Sequence, residues 1–247
     1  MNVLGVIPAR YNSTRLPGKP LKILKGKSLI QRVYENALKS KLINELVVAT
    51  DDNRILEHVE SFKGKAVLTP SDLPSGTDRV AYVAKSYDCD IVVNIQGDEP
   101  FLSHEVIDDC IKALIDNDKL LVSTAARSGI TEAELSNPNI VKVLLNQKNE
   151  AIYFSRQNIP YIRLEGSSII NHPALVHIGI YIYCKDFLLR FIEMPVSKLE
   201  QLEQLEQLRI LENGYKIRVI VTDKNSFGID TFEDLIKAEE KLQRNGN

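Results

Sequence analysis

The stretch Val3-Leu4-Gly5-Val6-Ile7-Pro8-Ala9-Arg10-Tyr11-Asn12-Ser13-Thr14-Arg15-Leu16-Pro17-Gly18-Lys19-Pro20 decides how the rest of the chain is read. Residues 3–7 form an apolar run of strand length. A strand that is apolar at successive positions is buried on both faces, as in a parallel sheet. The loop after this strand carries Arg10, Arg15 and Lys19, with Ser13, Thr14 and Gly18 between them, and no acid occurs from residue 3 to residue 31. In open α/β sheets ligands bind outside the carboxyl ends of the strands. Arginine forks and a lysine point charge placed there suit a polyphosphate. A solvated basic loop accounts for the same residues, and both readings stand at this point.

Beyond this opening, short apolar runs alternate with longer amphipathic ones. Periodicity predicts a helix over 29–38, with Ile30, Val33, Tyr34, Ala37 and Leu38 on one face. It predicts further strands over 46–49, 66–68, 91–95 and 121–125, and helices over 53–62, 77–86 and 104–117. This βαβα rhythm implies an α/β fold: a mainly parallel, Rossmann-like sheet with helices on both faces. From residue 141 the rhythm breaks. Strands over 141–145, 151–154 and 175–183 surround a polar stretch, 165–171, and helices over 185–192 and 199–212 come next. A strand over 216–221 and a helix over 231–243 end the chain. No Gly/Ser-rich or Pro-rich linker separates these parts, so 1–247 reads as a single α/β domain: about 1–127, a mixed subdomain of about 128–215, and a return strand and helix over 216–247. Residues 199–207 repeat Leu-Glu-Gln three times, with leucines at 199, 202, 205, 208 and 211. A spacing of three turns the apolar stripe back by about 60° per step, so the helix does not sustain a coiled-coil seam.

Composition removes whole classes of function. The 247 residues carry 31 Lys plus Arg against 33 Asp plus Glu, a net charge of −2, which excludes nucleic-acid binding by bulk positive charge. Cys89, Cys110 and Cys184 make no CxxC and suit a reducing compartment. The histidines 58, 104, 172 and 177 make no HExxH. No apolar run reaches membrane-spanning length, and residues 1–8 lack the basic start of a signal peptide, so a cytoplasmic protein is the expectation. Gly26-Lys27-Ser28 imitates the end of a phosphate-binding P-loop, but Leu21 stands where the first glycine belongs. No GxGxxG comes after the first strand, and the sequon Asn12-Ser13-Thr14 has no meaning in a cytosolic chain.

Two further clusters carry chemistry. Asn94-Ile95-Gln96-Gly97-Asp98-Glu99-Pro100 ends the most apolar strand. An acid there, beside a phosphate-binding loop, suits Mg²⁺, which takes hard oxygens and shares them with substrate phosphates; a turn-forming Gly-Asp is the plainer account. Gly228-Ile229-Asp230-Thr231 places a second acid before a helix. Asp230 reads equally as a helix cap or, with Asp98, as half of a metal clamp.

With these residues in place, Ile7 to Tyr11 and Ser13 to Leu21 resemble the opening of the sugar-acid cytidylyltransferases. The resemblance is closest to the branch acting on 3-deoxy-manno-octulosonate (Kdo). It continues in order through Val48-Ala49-Thr50-Asp51, Ser75-Gly76-Thr77-Asp78-Arg79, Asn94 to Pro100, Asn137-Pro138-Asn139, Val141-Lys142-Val143, Tyr153-Phe154-Ser155-Arg156 and Ile159-Pro160. His177 to Tyr181, Leu205 to Arg209 and Asp230-Thr231 complete it. It departs at Val176 and Cys184, where basic residues are frequent in the family.

The resemblance implies a nucleotidyltransferase that moves CMP from CTP to Kdo for lipopolysaccharide synthesis, releasing pyrophosphate, with Mg²⁺ as cofactor and a homodimer formed by the second-half subdomain. It assigns Ala9, Arg10, Ser13, Arg15, Lys19, Ser75, Gly76, Gln96 and Gly97 to CTP, and Asp98 and Asp230 to the metal. Lys19, Asp98 and Asp230 are then the catalytic set. Arg79, Gln96, Arg163, His177, Tyr181, Glu206 and Gln207 match positions around the sugar acid. The rivals are a cytidylyltransferase for 8-amino-Kdo or a sialic acid, and a non-catalytic nucleotide-binding protein.

Overall fold

The computed structural model describes residues 1–13, 15–163 and 172–244. The polar stretch 165–171 and Thr14 lie outside them. Two compact units emerge: residues 1–108 with 225–247, and residues 109–224.

The first unit begins with β1 (Val3–Ala9), the hairpin β2 (Ile23–Leu24) and β3 (Lys27–Ser28), and α1 (Leu29–Ala37). It continues with β4 (Glu45–Thr50), α2 (Asn53–Ser61), β5 (Ala66–Leu68), α3 (Gly76–Ala84) and β6 (Ile91–Asn94). β1 lies between β4 and β6, β4 pairs onward with β5, and every one of these pairings is parallel. Val6, Ile7, Val47, Val48, Val92 and Val93 are wholly buried, which is why these strands read as unbroken apolar runs. Each helix starts on a side-chain cap: Ser28, Asp52 and Ser75 accept from the backbone N–H of Gln31, Arg54 and Asp78. The P-loop imitation at 26–28 is thereby explained. Lys25 (φ 47) and Gly26 (φ 78) make the turn of the β2–β3 hairpin, and Ser28 caps α1.

α4 (His104–Ile115) leads to β7 (Val122–Arg127) and α5 (Glu132–Ser136). The second unit then adds β8 (Lys142–Leu145), β9 (Ala151–Ser155), β10 (Leu175–Cys184), α6 (Lys185–Phe191), α7 (Lys198–Glu203), α8 (Gln207–Glu212) and β11 (Arg218–Thr222). α9 (Phe232–Arg244) returns to the first unit, where Ile229, Leu235 and Ala238 pack with Leu16, Leu24 and Leu29. In the second unit β11 runs parallel to β7, whereas β10 is antiparallel to both β7 and β8, and β8 to β9. β7, read from sequence with the first half, belongs to this unit because its partners are β10 and β11. α5 escaped the periodicity reading because it is a single turn and a half, although its capping box, Thr131 with Glu134, is written in the sequence.

The single helix predicted over 199–212 is two helices. Gln204 takes a left-handed conformation (φ 53, ψ 50) between them. Leu202 is 71% exposed while Leu205 and Leu208 are buried, so the leucines do not form one continuous buried stripe. The carbonyl of Glu203 instead accepts from Arg156 Nε at 2.8 Å, and its carboxylate accepts from Ser155 Oγ at 2.6 Å and the Arg156 N–H at 2.9 Å.

Lys142, at the start of β8, is entirely buried. Its ammonium gives its three protons to the carbonyls of Asn137 (3.0 Å), Ile140 (2.8 Å) and Arg156 (2.5 Å). Lys142→Met keeps the stem but leaves three acceptors without their donor, so it should lower unfolding stability by about 3 kcal/mol. Urea denaturation checks this, and an unchanged midpoint would mean that the carbonyls find other donors.

Candidate active site

A cleft of about 390 Å³ opens in the first unit where the parallel strands end. Pro8, Ala9 and Arg10 continue β1 into its wall, and Asn12, Ser13 and Arg15 come next on the basic loop. Lys19 and Pro20 come from a 3₁₀ turn, Gly76 is the first residue of α3, and Gln96-Gly97-Asp98 leave β6. Asp230 arrives from the far end of the chain, just before α9. The opening lies at the carboxyl ends of the strands, as a parallel sheet places ligand sites. Of the residues assigned to the nucleotide, all line this cleft except Ser75, which stands directly behind Gly76 as the cap of α3. A Cβ at Gly97 would lie 3.0 Å from the Pro8 carbonyl oxygen, so the close passage of the two strand ends favours glycine there.

Charge is concentrated at one point. Lys19 Nζ donates to Asp98 Oδ2 at 2.6 Å and to Asp230 Oδ1 at 2.9 Å, while Arg15 Nη2 is 3.0 Å from Asp230 Oδ2. Burial works against the Lys19 charge, but the Asp98 carboxylate, and then Asp230, outweigh it and raise the lysine pKa. Burial likewise opposes ionisation of Asp230, yet Lys19 and then Arg15 hold its pKa below the usual carboxylate value. Arg10 keeps its place by donating Nη2 to the carbonyls of Leu73 and, at 3.2 Å, Ser75. The backbone N–H of Ile229 donates to the Asp98 carbonyl at 2.9 Å, and Ser226 Oγ donates to Glu99, so the segment carrying Asp230 is fastened to the turn carrying Asp98.

Asp98 and Asp230 therefore converge on a single cation. Among the described residues no group of three or more His, Cys, Asp or Glu side chains forms a cage. Two hard carboxylates beside a basic, polyphosphate-sized cleft fit Mg²⁺, which takes one or two protein carboxylates and completes its shell with water and phosphate.

The residues matched to the sugar acid are spread over both units. Gln96 lines the cleft, and its Nε2 donates to Asn94 Oδ1 at 3.5 Å. Arg79 is fully buried on α3, donating to Thr69 Oγ1 and, at 3.2 Å, to Asp51 Oδ2. His177 and Tyr181 share one face of β10, across a register shift between Ile178 and Tyr181. Thr124 Oγ1 lies 3.1 Å from His177 Nε2, and Tyr181 OH lies 3.0 Å from the same nitrogen. Phe154 meets the imidazole edge-on at 5.1 Å. Burial, then Tyr183 and Glu206, push the Tyr181 hydroxyl well above its ordinary pKa. Gln207 is buried at the start of α8, directly after Glu206, and Arg163 is exposed at the end of a described segment. Sequence reading passed over Thr124 and quoted Asn94 and Phe154 only within motifs, without a role; the three contact Gln96 or His177. A hydroxyl or amide inside an apolar strand was the available signal.

Burial lowers the His177 pKa to about 3. Because the folded pKa lies below the unfolded one, the unfolded chain takes up a proton that the folded chain refuses. Stability should fall as pH drops below about 6.5 and level off near 3. An NMR titration should show a neutral His177 imidazole at pH 5, and a transition between pH 6 and 7 contradicts this.

A family model described as cytidylyltransferase matches residues 4–217. A protein of Thermodesulfovibrio yellowstonii named 3-deoxy-manno-octulosonate cytidylyltransferase is 50% identical, with 98% of each chain covered. One of the same name from Bdellovibrio bacteriovorus is 46% identical, with both chains covered in full. Among solved structures, CMP:2-keto-3-deoxy-manno-octonic acid synthetase complexed with CTP is 40% identical, with a TM-score of 0.93 over 99% of this chain and 100% of the other. On sequence and fold together, the chain belongs to the cytidylyltransferase family, in its 3-deoxy-manno-octulosonate cytidylyltransferase branch.

Proposed function

We propose that the protein transfers the cytidylyl group of CTP to the anomeric hydroxyl of Kdo, giving CMP-Kdo and pyrophosphate. The observation that carries this reading is the Lys19–Asp98–Asp230 cluster at the mouth of a basic cleft, in a chain 50% identical to a named Kdo cytidylyltransferase. In the reaction the hydroxyl oxygen bonds to the α-phosphorus, the bond from that phosphorus to the pyrophosphate oxygen breaks, and the hydroxyl proton passes to solvent. Phosphoryl-type transfer asks for position and charge neutralisation more than for covalent chemistry. Arg10, Arg15 and Lys19 offset the charge gathering on the leaving pyrophosphate, and Ser13 adds a hydroxyl donor. Ala9, Ser75, Gly76 and the Gln96-Gly97 turn present backbone against cytosine and ribose.

Asp98 and Asp230 would hold Mg²⁺, which when bound polarises the α-phosphate and lowers the pKa of the attacking hydroxyl. Kdo recognition falls to Arg79, Gln96, Arg163, His177, Tyr181, Glu206 and Gln207. A neutral imidazole, a phenol and a carboxamide suit sugar hydroxyls, and the guanidinium groups suit the acid. The reaction belongs to the cytoplasm, a placement supported by three cysteines in thiol form and by the absence, among the described residues, of a helix long and apolar enough to cross a membrane. A homodimer formed through the second unit is supported by Ile152, Tyr161, Ile162 and Leu202, large apolar side chains exposed on it.

Pyrophosphate release from CTP with Kdo, 8-amino-Kdo or a sialic acid, with and without Mg²⁺, tests the reading directly. Release with Kdo in Mg²⁺ is expected, and its absence removes the proposed function. Asp98→Asn and Asp230→Asn should each lower turnover at least 100-fold, roughly the cost of removing one transition-state charge contact. Near-normal turnover in either variant would detach that carboxylate from the metal. Substitutions should also sort by substrate. Lys19→Ala acts on CTP use and on kcat, whereas Gln207→Ala raises KM for Kdo by the equivalent of about 1–3 kcal/mol. A Gln207→Ala enzyme that is weak toward CTP and normal toward Kdo would overturn the assignment of α8.

A further inference from the structure

The basic loop has a neck built from residues that do not line the cleft. The backbone N–H of Gly18 donates to the Tyr11 carbonyl at 3.1 Å, closing residues 11–18 on themselves. Gly18 adopts a left-handed conformation (φ 66), and a Cβ added to it would stand 3.3 Å from the Tyr11 ring and hydroxyl. The ring therefore rests against the glycine backbone. It is also stacked by Arg54, whose guanidinium carbon lies 3.3 Å from the ring centroid. That guanidinium is held in turn. Its Nε donates to Asp52 Oδ1 at 2.9 Å and its Nη2 to Asp52 Oδ2 at 2.6 Å. Asp52 caps α2, which comes after the buried strand β4. The chain of contacts runs from the sheet through Asp52 and Arg54 to the ring that closes the loop.

The position of this neck gives it a consequence for binding. Arg10 precedes Tyr11 and Lys19 comes directly after Gly18, so the meeting of the neck's ends sets the backbone spacing of the two cations, whose side chains are held by Leu73 and Ser75 and by Asp98 and Asp230. Ser13 and Arg15 lie within the closed segment. A loop whose ends are free must lose that freedom when a polyphosphate binds, and affinity falls by the cost of ordering. A neck closed beforehand removes that cost. A planar guanidinium fixed by a bidentate carboxylate is suited to the task, because its stacking plane is set before the ring arrives.

We propose that Tyr11 is a positioning residue: gripped between Gly18 and Arg54, it pre-sets the spacing of Arg10 and Lys19 for a nucleoside triphosphate. The proposal rests on the CTP reading of the cleft, and its test separates the two. CTP affinity is measured by calorimetry without Kdo, and turnover with Kdo is measured apart from it, on Tyr11→Ala, Tyr11→Phe, Arg54→Ala and the double alanine variant. Tyr11→Ala should weaken CTP binding about tenfold, and Arg54→Ala about three- to fivefold, as the loss of an exposed cation–π contact gives. Tyr11→Phe keeps the ring and should bind within about twofold of the parent, and the double variant should be no weaker than Tyr11→Ala, since both remove one latch. KM for Kdo should stay within about twofold throughout.

Parent-like CTP affinity in Tyr11→Ala overturns the proposal. So does a Tyr11→Phe variant as weak as Tyr11→Ala, or a set of variants in which CTP and Kdo constants worsen together with Tm. A parent protein that binds CTP but leaves Kdo untouched removes the reaction, and the affinity series still decides the latch. A parent that binds no CTP overturns both.

Discussion

One ammonium near the start of the chain holds two carboxylates that lie far apart in the sequence. Lys19 sits at 2.6 Å from Asp98 and 2.9 Å from Asp230, and without it two acids would face each other in a partly buried cleft. Like charges so placed repel one another. With Lys19 and Arg15 present, Asp230 instead ionises more readily than an ordinary carboxyl. The return of the chain beyond residue 224 is organised around this meeting. Ile229 donates to the Asp98 carbonyl, Ser226 donates to Glu99, and Ile229 itself enters the apolar cluster of Leu16, Leu24, Leu29, Leu235 and Ala238. Burial of those side chains fixes the segment, and the segment fixes the acid.

The same logic explains which parts could be read from the residues alone. Strands β1, β4 and β6 announce themselves because both faces are covered, so nearly every position is apolar and no partner need be known. The basic loop and Asp98 are visible for a related reason, since they stand at the ends of apolar strands, whereas Asp230, just before α9, reads equally as a helix cap. Resemblance to an ordered set of motifs is what singles out His177, Glu206 and Gln207, which composition and spacing alone leave ordinary.

What was hidden depends on partners distant in sequence. Nothing local in Leu-Glu-Gln repeated three times ends a helix, since all three residues are good helix formers. The break at Gln204 comes from Ser155 and Arg156, nearly fifty residues earlier, which claim the carboxylate and carbonyl of Glu203. Lys142 likewise reads as one more surface lysine at a strand start, and only the folded backbone brings three carbonyls around it. The hairpin at 23–28 is only two residues per strand, too short for alternation to show, although its Lys25-Gly26 turn stands in the sequence. Local propensity yields to tertiary demand at these places because each satisfies a buried polar group, and an unmet one costs more than a helix residue or two can return.

The two sets of polar side chains in this protein solve opposite electrostatic problems. Lys19 and Asp230 favour their charged forms because each has an opposite charge beside it: Asp98 and Asp230 for the lysine, Lys19 and Arg15 for the acid. His177 and Tyr181 remain neutral because burial penalises the charged form of either, and their hydrogen bonds run to one another and to Thr124. A charged cluster suits a ligand that arrives with charge to be neutralised, a triphosphate with its cation. A neutral cluster suits hydroxyl groups, which gain from hydrogen bonds and would gain little from a buried charge that had first to be desolvated. Interchanging the two would fail on both counts: an imidazole with a pKa of about 3 cannot offset phosphate at neutral pH, and a carboxylate pair set among Phe154, Tyr181 and Tyr183 would take up protons to escape its surroundings.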